Sequence, residues 1–193
     1  MEGSGGCESL NKNSKKRAAS SYPISAFDVI KARKGRMDLI RGISFQIPNE
    51  YGRFLGDILK PFDIGEYNWR IGGEESYLIV DDKLGNDLFP GLINSLDGET
   101  LKSILEDNDY YLIFQDLKAF PKGTDTTDVK SYDEYMSSDC QLVLLVVDSA
   151  YITIYCKNER ELENLYSNAR NWGYTNLEYI TDKNDMRTGL IVW

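Results

Sequence analysis

The sequence predicts an α+β fold with a mostly antiparallel sheet, a central hydrophobic hairpin and about four short helices. The hairpin prediction rests on two runs rich in β-branched and aromatic residues, 142–147 and 151–156, which flank the polar pair Asp148-Ser149. The first run is apolar at every position, as expected of a strand that is covered on both faces. Helical segments interrupt the predicted hairpins, and this order favours an antiparallel sheet over a doubly wound parallel one.

The elements before this hairpin follow from periodicity and from capping residues. Alternation over residues 41–47 predicts a first strand, and Asn49 is expected to cap a short helix. Residues 67–71 and 77–80 are predicted to pair as a hairpin, with Gly72-Gly73-Glu74-Glu75 as its turn.

The remaining elements are assigned in the same way. Asp97 and Ser131 are predicted to be helix N-caps, and Asp148-Ser149 is expected to form an exposed turn. The clearest helix spans residues 159–172, because acids occupy its first turn and Gly173 provides a C-terminal stop. The other assignments are a loop at 81–90 and strands at 110–120, 177–181 and 189–193.

Residues 1–38 are predicted to be a disordered basic tail, and residues 39–193 a single α+β domain. The tail carries eight Lys or Arg and four acids. Lys34-Gly35-Arg36 can be back-translated as a purine-rich ribosome-binding site, and Leu39 as a TTG start codon. Two explanations stay open: the tail is translated upstream DNA and the natural protein starts at Leu39, or it is a genuine tail or an added segment.

The charge of residues 39–193 limits the partners that the protein can have. This part holds 14 basic and 27 acidic residues, a net charge of −13, and should repel nucleic acid backbones and membrane surfaces. No apolar run approaches the length of a membrane span and the N-terminus lacks a signal peptide, so the predicted location is the cytoplasm. A protein partner, which could be basic, is expected; an acidic surface that only maintains solubility is the simpler alternative.

The absence of histidine removes several kinds of chemistry. Without it there is no Ser-His-Asp or Cys-His catalysis, no His-ligated zinc and no imidazole pH switch. Cys140 and Cys156 are expected to be buried free thiols, whereas Cys7 lies in the polar tail. No cofactor is predicted, because the glycines lack the spacing of a dinucleotide-binding or phosphate-binding loop, and no metal-binding residue is assigned.

Five blocks of sequence are distinctive: RGISFQIPNEYG at 41–52, YNWRIGGEE at 67–75, YYLIFQDLKAFP at 110–121, CQLVLLVVDS at 140–149 and IVW at 191–193. As a set, these blocks resemble a family of short acidic bacterial proteins that is catalogued only as a domain of unknown function. The resemblance covers residues 39–193. It implies no activity and no functional residues.

The leading functional interpretation is a non-catalytic protein-binding or regulatory module. Aromatic residues beside an arginine are typical of interaction surfaces. Ordinary packing of the same aromatics within the core is the competing interpretation. The interaction candidates are Tyr67, Trp69, Arg70, Glu74, Glu75, Asp81 and Asp82.

The alternative interpretation is a metal-dependent, nuclease-like hydrolase. Asp81-Asp82-Lys83 and Asp116-Leu117-Lys118 each contain an Asp-x-Lys step, and Asp63, Asp107 and Asp109 lie upstream. In such enzymes carboxylates hold a divalent cation and lysine helps to activate water. The same triplets also arise by chance as surface charge at strand ends, and only their convergence in a cleft would favour catalysis.

Overall fold

The computed structural model describes Met1, residues 39–91 and residues 94–192, apart from the side chain of Glu74. The prediction of a disordered tail therefore lies outside the described residues. All the elements given below belong to residues 36–193, which form one compact unit.

The described strands form one eight-stranded sheet. Seven of them follow the order β3-β2-β5-β6-β7-β1-β8, β4 pairs with β2, and every described pairing is antiparallel. The α+β prediction is thus confirmed at this level. The strands are β1 (Ile40–Gln46), β2 (Tyr67–Val80), β3 (Lys83–Asp87), β4 (Ser95–Asp97), β5 (Tyr110–Pro121), β6 (Leu142–Val147), β7 (Tyr151–Cys156) and β8 (Thr175–Thr181).

Four α-helices lie within the described residues, in addition to a one-turn 3₁₀ helix at Ile64–Glu66. The predicted caps form: Asp97 accepts a hydrogen bond from the Thr100 amide, and Ser131 accepts one from the Glu134 amide. None of these helices combines the length and the apolar character needed to cross a bilayer. The helices are α1 (Phe54–Leu59), α2 (Gly98–Asp107), α3 (Tyr132–Ser137) and α4 (Glu159–Asn171).

Strand β6 occupies the middle of the sheet and is covered on both faces. Residues 142–146 have no solvent exposure, and Val147 is half-buried. Val143 and Leu145 pack in a cluster with Tyr135 of α3 and with Leu190 and Val192 near the C-terminus. Elsewhere on the sheet, α2 contacts β2 and β4, α4 contacts β1, β7 and β8, and α1 contacts both of these helices. The prediction of a central hydrophobic hairpin is therefore confirmed.

The predicted hairpin around Gly72-Gly73 is wrong. Strand β2 runs through these residues without reversing, and it pairs with β5 along nearly its whole length. Gly72 lies opposite Asp116, whereas Glu75 lies opposite Phe114, so β2 holds one extra residue between the two pairs. Such an insertion is a β-bulge, and Gly73 has the positive φ of +71° that bulges often require.

The chain reverses instead at Asp81-Asp82, within the region predicted to be a loop. Both aspartates have positive φ angles, 51° and 58°, as a two-residue type I′ turn requires. The turn connects β2 to β3, with Val80 opposite Lys83 and Ile79 opposite Leu84. The predicted loop at 81–90 therefore contains an edge strand, and the hairpin is displaced by about one strand length from its predicted place.

Three smaller predictions are also wrong. The N-cap of α1 is Arg53 and not Asn49, which accepts a hydrogen bond from the Tyr111 hydroxyl at 2.6 Å. The segment near the C-terminus makes only an isolated bridge, between Gly189 and Ser131, and not a strand. Ser149 is buried rather than exposed, and its amide donates to the carbonyl of Ile113 at 3.1 Å.

The order of the strands places the first and the last described strands, β1 and β8, next to each other. Strand β1 lies between β7 and β8, so Ile43 is opposite both Ile154 and Tyr179. Gly42 is required there by close packing, because a Cβ atom would collide with the backbone of Ile154. The first strand is therefore an internal strand of the sheet.

Candidate functional site

The aromatic interaction candidates lie in the first half of β2 and pack mainly on neighbouring aromatic rings. Trp69 is fully buried, and its indole Nε1 donates to the carbonyl of Ile64 at 3.0 Å. The ring of Phe62 stacks on Tyr67, with centroids 4.7 Å apart, and meets Trp69 edge-on. Such pairs stabilise a core, so Trp69 supports the fold here, while a binding role for Tyr67 stays a prediction.

Arg70 lies on the other face of the sheet, because neighbouring residues of a strand point in opposite directions. It is partly buried, and it stands opposite Lys118 of β5. The bulge that follows places Glu75 opposite Phe114, where its side chain is exposed. The structure therefore separates Arg70 and Glu75 from the aromatic group that precedes them in sequence.

Asp81 and Asp82 form the exposed tip of the β2–β3 hairpin. Val80 and Leu84 beside them are 58% and 60% exposed, although both are large and apolar. Tyr51 packs at this tip, where its hydroxyl donates to Asp82 Oδ1 at 2.9 Å. The hydrogen bond to the carboxylate raises the pKa of Tyr51 above its ordinary value. We call residues 80–84 together with Tyr51 the hairpin tip.

The two Asp-x-Lys triplets lie in different environments. Asp81-Asp82-Lys83 belongs to the exposed hairpin tip, whereas Asp116 and Lys118 are buried in β5. Asp109 pairs with Arg53 at 3.0 Å, and Asp107 accepts a hydrogen bond from Ser103. Within residues 39–91 and 94–192, no three acidic or cysteine side chains are grouped as metal ligands. The convergence of carboxylates that the hydrolase interpretation needs is not found in this part of the chain.

Asp116 and Lys118 form an ion pair inside the protein. Lys118 Nζ donates to Asp116 Oδ1 at 2.7 Å, and the two side chains are 1% and 4% exposed respectively. The second carboxylate oxygen of Asp116 accepts from the Val192 amide at 3.4 Å. Gly72 makes room for this carboxylate, since a Cβ atom at Gly72 would lie 2.5 Å from Asp116 Oδ1. The bulge and the ion pair therefore form one packing unit.

A cleft of about 500 Å³ opens beside this unit. Its wall is made by the β2 bulge, and the segment near Val192 closes another side. We call it the β2 cleft. Its size falls within the range of about 300–1,000 Å³ that is usual for small-molecule sites. The charged residues that line its described part are Arg70, Glu75, Asp116, Asp128 and Lys130.

Cys140 and Cys156 are free and buried, as the sequence predicts. Burial in apolar surroundings raises the pKa of each thiol to about 12. Because the thiolate is the nucleophile, neither group is activated for catalysis in this conformation. Cys7 lies outside the described residues.

With this geometry established, comparison with known proteins identifies the family. Residues 40–191 match a family model described as a protein of unknown function (DUF2691). The chain belongs to the DUF2691 family. The uncharacterized protein YncE of Bacillus subtilis (strain 168) is 45% identical to it over 152 residues, which are 79% of this chain and 99% of that protein. No solved structure matches the chain.

The match confirms the resemblance inferred from the five sequence blocks. The DUF2691 region contains the hairpin tip, every interaction candidate and all the described residues that line the β2 cleft except Val192. The family description assigns no activity.

Sequence reasoning missed the β2 cleft and the exposure of Val80 and Leu84. The cleft depends on a bulge, and a Gly-Gly pair between two apolar runs is equally typical of a turn. The exposed hairpin could have been detected, because Asp-Asp between Val80 and Lys83 is short enough for a two-residue turn.

Proposed function

We propose that this member of the DUF2691 family is a non-catalytic module that binds a basic segment of another protein at the hairpin tip. The observation that carries the proposal is the open edge of the sheet at β3, which follows the acidic turn Asp81-Asp82. All five residues of β3 are exposed, and the strand order ends there among the described strands. An edge strand offers backbone donors and acceptors to which an extended segment can add.

The side chains of the hairpin tip support the same mode of binding. Val80 and Leu84 lie on opposite faces of the hairpin, because they occupy successive cross-strand pairs. An added strand could therefore bury apolar area on either face. Asp81, Asp82 and Asp87 outnumber Lys83 in the hairpin, so a basic segment is electrostatically complementary.

The charge of the whole domain acts in the same direction. A net charge of −13 on residues 39–193 should speed the encounter with a basic partner at low salt. The effect should weaken as salt rises, because the Debye length falls from about 30 Å at 0.01 M to about 10 Å at 0.1 M.

The test compares two variants that change the net charge equally. Asp81→Asn/Asp82→Asn alters the hairpin tip, and Asp125→Asn/Asp139→Asn alters exposed acids elsewhere. Each protein is immobilised and its partners are recovered from the native cell at increasing salt. The proposal expects basic partners that high salt releases, with recovery reduced in the hairpin variant and retained in the control. Partners that are acidic, that survive high salt unchanged or that bind both variants equally would overturn it.

A further inference from the structure

We propose that the β2 cleft binds a small zwitterion, an amino acid or a molecule of about dipeptide size that carries one amine and one carboxylate. This site is separate from the hairpin tip, and the proposal does not depend on protein binding there. It rests on the pairing of the charged groups that line the cleft.

Three of the five charged residues in the described lining already have partners. Asp116 is neutralised by Lys118 at 2.7 Å, and Asp128 pairs with Lys130 at 3.3 Å. Because each of these charges is already neutralised by its partner, these pairs would attract a charged ligand only weakly. The Asp116–Lys118 pair also fixes one wall of the cleft, because Asp116 is held against Gly72 and the Val192 amide.

Arg70 and Glu75 differ from the other charged residues of the cleft. Neither makes an ion pair or a side-chain hydrogen bond with the described part of the chain, and they do not pair with each other. The β2 bulge separates them along the strand while keeping both at the same cleft. Among the described residues, the lining of the cleft therefore presents one free cation, Arg70, and one free anion, Glu75.

A zwitterion satisfies both groups with opposite ends of one molecule. The guanidinium of Arg70 is suited to a carboxylate, which it can bind through two parallel N–H···O bonds. The carboxylate of Glu75 can accept the protons of an ammonium group. A simple anion would use only Arg70 and would meet the net negative charge of the domain, whereas a zwitterion brings no net charge.

The volume of the cleft sets the size of the ligand. At about 500 Å³ it has room for an amino acid with a large side chain or for a dipeptide. Ile71, Phe89, Ile191 and Val192 also line the cleft and would contact the apolar part of such a ligand.

The test is a calorimetric titration of the full chain with the free proteinogenic amino acids and a set of dipeptides. At least one compound is expected to bind with 1:1 stoichiometry. Its N-acetyl and carboxamide analogues, which lack one charge each, should bind at least about tenfold more weakly, as loss of a charge-assisted hydrogen bond requires.

Variants then assign each charge of the ligand to its residue. Arg70→Gln should weaken binding of the zwitterion at least about tenfold but should leave the affinity for the carboxamide analogue unchanged. Glu75→Gln should likewise weaken binding of the zwitterion at least about tenfold but should leave the affinity for the N-acetyl analogue unchanged. Asp125→Asn serves as the matched control, and thermal melting confirms that all variants are folded. Failure of every zwitterion to bind, equal binding of the N-acetyl analogues or unchanged affinity in both variants would overturn the proposal.

Discussion

The buried ion pair between Lys118 and Asp116 makes a quantitative prediction about stability. At 2.7 Å and an effective dielectric constant of about 20, the Coulomb attraction amounts to about 6 kcal/mol. Desolvation of the two ions offsets most of this energy, at several kcal/mol each. Lys118→Met removes the attraction but leaves the Asp116 carboxylate desolvated, so the free energy of unfolding should fall by about 3–5 kcal/mol.

The double variant Lys118→Met/Asp116→Asn removes both charges and nearly preserves the shape of each side chain. Because no uncompensated ion remains, its stability should return to within about 1–2 kcal/mol of the wild type. Urea unfolding of the wild type, both single variants and the double variant measures the coupling energy, and equal m-values show that the unfolded states are comparable. If Lys118→Met loses less than about 1 kcal/mol, or if the two single losses simply add, the pair is not desolvated in the way described.

Three further predictions concern the core, the bulge and the buried hydroxyls. Leu144→Ala should lower the free energy of unfolding in urea by about 2–5 kcal/mol, whereas Tyr151→Ala, at an exposed position of β7, should leave it near the wild-type value. Similar losses in the two variants would mean that β6 is not the covered strand. Gly72→Ala should lower the free energy of unfolding by about 1–3 kcal/mol, because the new Cβ would crowd the buried Asp116 carboxylate. Gly91→Ala should leave the free energy of unfolding unchanged, because a Cβ there contacts no other atom. Equal effects of the two substitutions would show that the bulge can relax. Burial raises the pKa of several tyrosines above their unfolded value of about 10, so their contribution to stability is present below pH 10 and is lost as pH rises through the folded pKa values. The part of the tyrosinate absorbance that comes from buried tyrosines should therefore appear only together with loss of circular dichroism above about pH 10, whereas exposed tyrosines ionise in the folded protein. Ionisation of every tyrosine near pH 10 while the protein stays folded would contradict the burial of Tyr110, Tyr135 and Tyr155.

The sequence predicts well those elements whose signal is local. The β6–β7 hairpin, α4 and the caps at Asp97 and Ser131 each combine periodicity with a stop or a capping residue, and all of them form. Burial on both faces of β6 was also predictable, because an unbroken apolar run has no polar side to present to water.

The wrong predictions share a physical cause, which is tertiary packing. Gly72-Gly73 is typical of a turn, but Gly72 is needed because the Asp116 carboxylate occupies the space that a Cβ atom would fill. Asp116 lies 44 positions later in the chain, so the sequence does not show that contact. Similarly, Asn49 is a good capping residue, yet its side chain bonds Tyr111 and leaves the helix to start at Arg53. The candidate cleft depends on the bulge and so could not be derived from local patterns.

The position of β1 has a consequence for how the chain folds during synthesis. The ribosome makes this strand before any other in the sheet, but its neighbours β7 and β8 follow more than a hundred residues later. Until they emerge, the apolar side chains of Ile43 and Phe45 have no strand to pair with and depend on chaperones or transient contacts for cover. Pairings so distant in sequence form slowly, because loop closure must precede the contacts that reward it. Completion of the sheet must therefore await the synthesis of β8, and the nascent chain should be most prone to aggregate just before β8 is released.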